Sequence, residues 1–131
     1  IAEQVVAVLE RTEKGEGLAF DVAVPDALRL PLAAEDLTEL LGAAAENAVR
    51  YARRRVRIAG AERHLTVEDD GPGLDETAAQ TALERGARLD ESGGQGLGLA
   101  IVRDVAAATG GAIALSRAAL GGLCVTITWP A

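Results

Sequence analysis

Three short blocks follow one another along this chain: Glu46-Asn47-Ala48-Val49-Arg50-Tyr51, Asp69-Asp70-Gly71-Pro72-Gly73-Leu74 and Gly94-Gln95-Gly96-Leu97-Gly98-Leu99. The first lies in the stretch from Glu35 to about Arg53, where Leu37, Leu40, Leu41, Ala44, Ala48 and Tyr51 recur at helical spacing. The second closes an alternating run, His64-Leu65-Thr66-Val67, so its first carboxylate ends a strand. The third opens an apolar helix, Gly96 to Ala108, which Gly110-Gly111 terminates. Any fold for this chain has to accommodate a helix, a strand end and a glycine-rich helix start in that order.

The remaining pattern supplies the layers. Residues 1–13 have helical apolar spacing and run into the turn Lys14-Gly15-Glu16-Gly17. Leu18, Phe20, Val22 and Val24 alternate with smaller or polar residues and predict a strand, broken by Pro25-Asp26. Leu28 to Leu32 reads as a second short strand. Val56-Arg57-Ile58 and His64 to Val67 read as a hairpin joined by Gly60-Ala61-Glu62, and Ile113 to Arg117 with Cys124 to Trp129 as a closing one. Asp75 to Arg85 reads as a short helix and Arg88 to Gly94 as a mobile loop. Helices and strands are mixed without strict βαβ alternation. The expected fold class is therefore α+β: a two-layer α/β sandwich whose mixed, mainly antiparallel sheet carries helices on one face.

Composition narrows the functional classes. With 49% hydrophobic and 25% charged residues in 131, the chain has the balance of one globular domain with a real core. No apolar run reaches the roughly 18 residues of a membrane span. The chain begins with Ile1 rather than Met, so it reads as a piece of something longer, whose parent could cross a membrane. A net charge of −7 argues against nucleic acid as a partner, because phosphate backbones need a basic footprint. It also means that an anionic ligand has to be held locally, by Mg²⁺, helix N-termini and a few cations. The single cysteine, Cys124, can form no internal disulfide and reads as a small packing residue in a reducing, cytoplasmic compartment.

The blocks carry compatible chemistry. Asn47, Arg50 and Tyr51 stand at i, i+3 and i+4 and project from one helix face. An amide oxygen suits Mg²⁺, which otherwise keeps waters and takes phosphate oxygens, and Arg50 one turn on can pair with a phosphate. Asp69 shares a strand face with Leu65 and Val67, which point to the core. A carboxylate there is costly unless hydrogen-bonded, and the exocyclic amine of adenine is a suitable donor. Asp70 lies on the opposite face and reads as solvated. Gly94, Gly96 and Gly98 precede a helix whose free N–H groups and dipole suit phosphate. The glycines match neither the dinucleotide fingerprint nor a Walker A loop. Each block has a plain alternative: a surface amide, an acidic turn, a glycine-rich loop. Together they are the parts of a nucleotide pocket, with about 20 residues between the last two blocks to serve as a lid.

In these blocks the chain resembles the catalytic, ATP-binding domain of bacterial sensor histidine kinases, in the ATPase superfamily shared with gyrase, MutL and the large heat-shock chaperones (the GHKL or Bergerat fold). Residues 36–52 (DLTELLGAAAENAVRYA) resemble the N box, 69–74 (DDGPGL) the G1 box and 94–102 (GQGLGLAIV) the G2 box. Leu83 to Arg88 with Gln95 is similar to the lids of PhoQ-type sensors. The resemblance covers roughly residues 18–130, with residues 1–13 as a possible tail of a preceding dimerisation helix or linker and 18–131 as the ATP-binding domain. It implies Asn47 as the Mg²⁺ ligand, Arg50 in place of a phosphate-contacting lysine, Tyr51 lining the nucleotide and Asp69 binding adenine. Gly71 and Gly73 would shape the pocket, while Gly94, Gly96 and Gly98 would let a lid hinge and phosphates approach. Leu74, Leu97 and Leu99 belong to the same expected nucleotide-binding set. Arg88 and Gln95 are lid contacts to phosphate or metal and join Asn47 and Arg50 as expected catalytic residues, with Arg85 a weaker candidate.

The resemblance implies transfer of the ATP γ-phosphoryl group to a histidine on a separate dimerisation and phosphoacceptor domain, and then to a response regulator. The implied parent is an inner-membrane sensor, with no membrane contact by this piece. Three departures stand out. Ala43 occupies a position one turn before Asn47 where the kinases usually have a second Asn and hydrolytic relatives a Glu. Leu83 replaces the usual lid Phe. No phosphoacceptor motif is present, and the one histidine, His64, reads as an exposed structural residue. Ala43 disfavours water activation and keeps open an alternative: a nucleotide-sensing or docking module without efficient transfer.

Overall fold

The computed structural model describes residues 1–12, 15–25, 28–73 and 98–130. Among them are three helices, α1 (Ala2–Glu10), α2 (Ala34–Tyr51) and α3 (Gly98–Ala108), and five strands. The strands are β1 (Ala19–Ala23), β2 (Arg55–Ala61), β3 (His64–Asp69), β4 (Ala112–Arg117) and β5 (Leu123–Thr128). They form one sheet in the order β1-β2-β3-β5-β4. Only β1 and β2 are parallel, joined across α2; the other three pairings are antiparallel. This is the α+β sandwich expected from the sequence. The predicted helix Asp75 to Arg85, the predicted lid, and Leu74, Arg88, Gly94, Gln95, Gly96 and Leu97 lie outside the described residues.

Side-chain alternation puts one sheet face against the helices. Val56, Ile58, Leu65, Val67, Val125 and Ile127 are buried there, with Phe20, Val22, Ile113 and Leu115 packed at the margins. The helical layer contributes Leu40, Leu41, Ala44, Ala45, Ala48 and Val49 from α2 and Leu99, Val102, Val105 and Ala106 from α3. Small residues on α2 let α3 lie close beside it. Helix α1 adds Ala2, Val6 and Leu9 to the same core. None of the described helices is long and apolar enough to cross a membrane.

Several expectations need correction. The turn between β2 and β3 is Glu62-Arg63, because Gly60 and Ala61 pair with Leu65 and His64 and belong to β2. Leu28 to Leu32 forms no strand. Pro31 lacks an N–H for a ladder, Leu32 N–H folds back to the Leu30 carbonyl at 2.8 Å, and Leu28 instead covers Gly60 on β2. Cys124, read as a small packing residue, is not among the buried core residues. It lies half-buried on the outer sheet face, its sulfur 3.5 Å from Thr126 Oγ1, because the alternation of β5 turns Leu123, Val125 and Ile127 inward. His64, expected to be exposed, shares that outer face and is half-buried as well.

The interior of α2 contains one weak point. Gly42 sits within the helix, and a methyl group there would meet no atom of the rest of the fold within 4 Å. Gly42→Ala is expected to stabilise the domain by about 0.5–1 kcal/mol, since glycine loses the most backbone entropy on entering a helix. The urea midpoint should rise with an unchanged slope; an unchanged or lower midpoint would contradict this.

Candidate functional site

Asp69 is the one buried charged residue among the described side chains, 2% exposed at the end of β3. The alternation that buries Leu65 and Val67 carries it to the helix-facing side, opposite Val56 on β2. The N–H of Gly71 donates to its Oδ1 at 2.8 Å and that of Leu123 at 3.4 Å. Both donors converge on one oxygen, so Oδ2 accepts no hydrogen bond among the described residues. Burial pushes the carboxyl above the ordinary carboxylate value. The two N–H bonds pull it back in part, and the neighbouring Asp70 charge adds to the rise.

The backbone around this carboxylate is packed without room for side chains. A Cβ on Gly71 would collide with the Tyr51 carbonyl at the end of α2. One on Gly122, in the β4–β5 hairpin, would collide with Asp69 Oδ1 and stand 2.6 Å from the Asp69 carbonyl oxygen and 2.7 Å from Gly71 N. Gly122 N–H donates to that carbonyl at 3.1 Å, and Glu68 Oε1 accepts from Ala119 N–H at 3.1 Å, so the hairpin is tied to β3 at two points. Gly73, with φ of 71°, lies over Gly122. The sequence reading missed Gly122. Gly121-Gly122 between two strand patterns signals a hairpin, but nothing local marks which glycine meets another strand's carboxylate.

A second cluster lies on α2. Asn47, Arg50 and Tyr51 are all half-buried on one side, between the fully buried Ala44, Ala48 and Val49. The Asn47 Cβ stands 3.7 Å from where a Cβ on Gly98 would be, so the amide flanks the N-terminal end of the described α3. Ala43, one turn earlier, meets the same glycine through its carbonyl oxygen at 3.5 Å. The Arg50 guanidinium carbon lies 5.9 Å from the centre of the Tyr51 ring. Leu99 packs inward, 4% exposed, as part of the core. The structure therefore joins Asp69, Gly71, Gly73 and Tyr51 at one end and Asn47 with Gly98 at the other, one turn of α2 apart.

Asp70 is not the solvated carboxylate expected from its face. Its Oδ1 accepts from the N–H groups of Arg53, Arg54 and Arg55 at 2.8, 3.0 and 3.2 Å, and its Oδ2 from Arg54 at 3.1 Å. Slight burial pushes this carboxyl up, but the bonds from Arg54, Arg55 and Arg53 together outweigh it and hold it below the ordinary value. Three successive N–H groups facing one anion form a nest that no sequence pattern announced.

Comparison with known proteins places the chain in a family. Residues 33–131 match the family described as histidine kinase-, DNA gyrase B- and HSP90-like ATPase. The sensor protein kinase CarS of Pseudomonas aeruginosa is 45% identical over 121 residues, 88% of this chain and 27% of CarS. The two-component sensor PhoQ of the same organism is 32% identical over 133 residues, 97% of this chain and 30% of PhoQ. The chain thus spans less than a third of the length of these relatives. Among solved structures, the mycobacterial sensor histidine kinase MprB superposes with a TM-score of 0.80 at 24% identity, covering 98% of this chain and 91% of that one. The catalytic domain of the histidine kinase ThkA gives 0.81 at 18% identity, covering 98% and 89%. These two establish the likeness of fold. The chain belongs to the histidine kinase-, gyrase B- and HSP90-like ATPase family, and its relatives there are sensor histidine kinases.

Proposed function

We propose that this domain binds Mg-ATP and transfers its γ-phosphoryl group to a histidine on a separate dimerisation and phosphoacceptor domain of the same sensor kinase. The observation that carries the reading is Asp69: a buried carboxylate with both backbone bonds on Oδ1 and its other oxygen left to accept from a ligand. A buried acceptor is tolerated when a donor arrives, and the adenine amine is such a donor.

The other residues fit the rest of the nucleotide. No group of three or more His, Cys, Asp and Glu able to hold a metal is present among the described residues. A metal here would be held by the Asn47 amide together with phosphate oxygens and water, the arrangement Mg²⁺ favours. When bound, Mg²⁺ neutralises charge on the phosphates. Asn47 and the N-terminal end of α3 would orient the polyphosphate, and Arg50 would balance its charge. Phosphoryl transfer asks mainly for such positioning, and an imidazole acceptor needs no strong base from this domain. Ala43 supplies none. Arg88 and Gln95 are proposed to complete the site from the lid, and a response regulator is proposed to receive the phosphoryl group next. The parent would be an inner-membrane sensor with this domain in the cytoplasm.

Ala43 also supports a second reading, a nucleotide-sensing module that binds without transferring, because its methyl offers no oxygen near the metal position. One experiment separates the readings. ATP is titrated calorimetrically with and without Mg²⁺, then labelled ATP is supplied with the parent's phosphoacceptor domain. Mg²⁺-dependent binding followed by label on histidine is the expected result. Binding without label favours the sensing module, and no binding defeats both.

A further inference from the structure

Asp70 stands next to the adenine-site carboxylate but faces away from it, and the site as described assigns it no role. Helix α2 ends at Tyr51, and Ala52 leaves it in extended conformation with φ −62° and ψ 145°. The connection to β2 then passes through Arg53 and Arg54. Their N–H groups and that of Arg55 all point into the Asp70 carboxylate, while the Arg54 carbonyl accepts from Ala19 N–H at 2.7 Å. The connection is thus gripped from β3 on one side and from the start of β1 on the other. One residue earlier in β3 is Asp69; one turn earlier in α2 is Asn47.

We propose that Asp70 is a positioning residue for nucleotide binding, whose carboxylate fixes the last turn of α2, with Asn47, Arg50 and Tyr51, at a set distance from Asp69. The proposal rests on the functional reading above. The ladder between β2 and β3 pairs Val56 with Asp69 and so aligns the strands, but it does not reach the helix. The Tyr51 carbonyl packs against Gly71, a contact that keeps the two segments apart without pulling them together. Core packing draws helix and sheet together without fixing direction, and Asp70 adds the directional attraction at this end, because hydrogen bonds to an ionised acceptor are stronger than neutral ones. A ligand spanning both ends depends on that distance; a ligand using only the Asp69 end does not.

The test compares Mg-ATP with adenosine, by calorimetry, on the wild type, Asp70→Ala and Asp70→Asn. The expected result for Asp70→Ala is a loss of about tenfold or more in Mg-ATP affinity, since misplacement by a fraction of an ångström is costly at a spanning site. Adenosine affinity should stay nearly unchanged. Asp70→Asn keeps one acceptor oxygen at the same place and should recover part of the loss. It also carries the comparison should Asp70→Ala fail to fold. Faster amide exchange at residues 53–55 in Asp70→Ala should accompany the effect. An equal loss for both ligands would overturn the proposal, as would no loss for either. A wild type that binds neither ligand would instead overturn the functional reading, and the proposal with it.

Discussion

Asp69→Asn is expected to abolish measurable nucleotide binding while the domain stays folded. The amide oxygen can take the place of Oδ1 and accept from Gly71 and Leu123, so the local backbone has no reason to move. The amide nitrogen then replaces Oδ2, and a donor faces the donor of the adenine amine. Two buried donors without an acceptor should weaken ATP binding by at least about a hundredfold. Calorimetry checks the affinity, and residual binding within about threefold of the wild type would refute Asp69 as the adenine acceptor, since a lost buried hydrogen bond costs more than that.

Stability should move the other way, and its sign follows from linkage. The folded pKa of Asp69 is raised above 3.8, its value when unfolded, so the folded domain favours the protonated carboxyl. Its favourable contribution is fully present below 3.8 and is lost as the pH rises through the folded value. The asparagine is neutral throughout. Asp69→Asn should therefore melt no lower than the wild type at pH 7, with the two converging toward pH 4. Asp70, whose folded pKa is lowered, stabilises above its unfolded value and loses that as the pH falls through its folded one. It is common to both chains and cancels in the comparison. Melting scans at the two pH values check this, and a wild type more stable at pH 7 would contradict it.

Gly122→Ala is expected to be severe for both stability and binding. Its methyl would meet the Asp69 carboxylate, the Asp69 carbonyl and the Gly71 nitrogen. Two of those three atoms are backbone, and the hairpin is held there by its own hydrogen bond to Asp69. Nothing flexible can give way. Overpacking of this kind costs about 2–3 kcal/mol, and relief by shifting the hairpin would displace Asp69, the proposed adenine acceptor. Urea unfolding should show the loss of stability and calorimetry the loss of ATP binding. Both effects contrast with Gly42→Ala, where the same methyl enters open space. A Gly122→Ala domain with wild-type midpoint and affinity would show that the hairpin does not pack on Asp69 as described.

Much of this protein was legible in its residues. Helical spacing from Glu35 to Arg53, strand alternation at Leu65 and Val67, and a glycine-rich helix start are local patterns, and local patterns report element type and facing. They placed Asp69 on the core face and Asn47, Arg50 and Tyr51 on one side of α2, and their order pointed to the family. What the residues could not disclose depends on contacts between distant segments. Asp70 looks like any solvated turn acid until the α2–β2 connection, 15 to 17 residues earlier, brings three N–H groups to it. Gly122 looks like an ordinary hairpin glycine until β5 pairs beside β3 and sets it against Asp69, 53 residues away in sequence. Leu28 to Leu32 has the composition of a strand; Pro31 argued against one in the sequence itself, but that Leu28 covers Gly60 of β2 instead is visible only in the fold. Periodicity records which side of an element is apolar; what that side meets is decided by the sheet order, and only the assembled fold contains it.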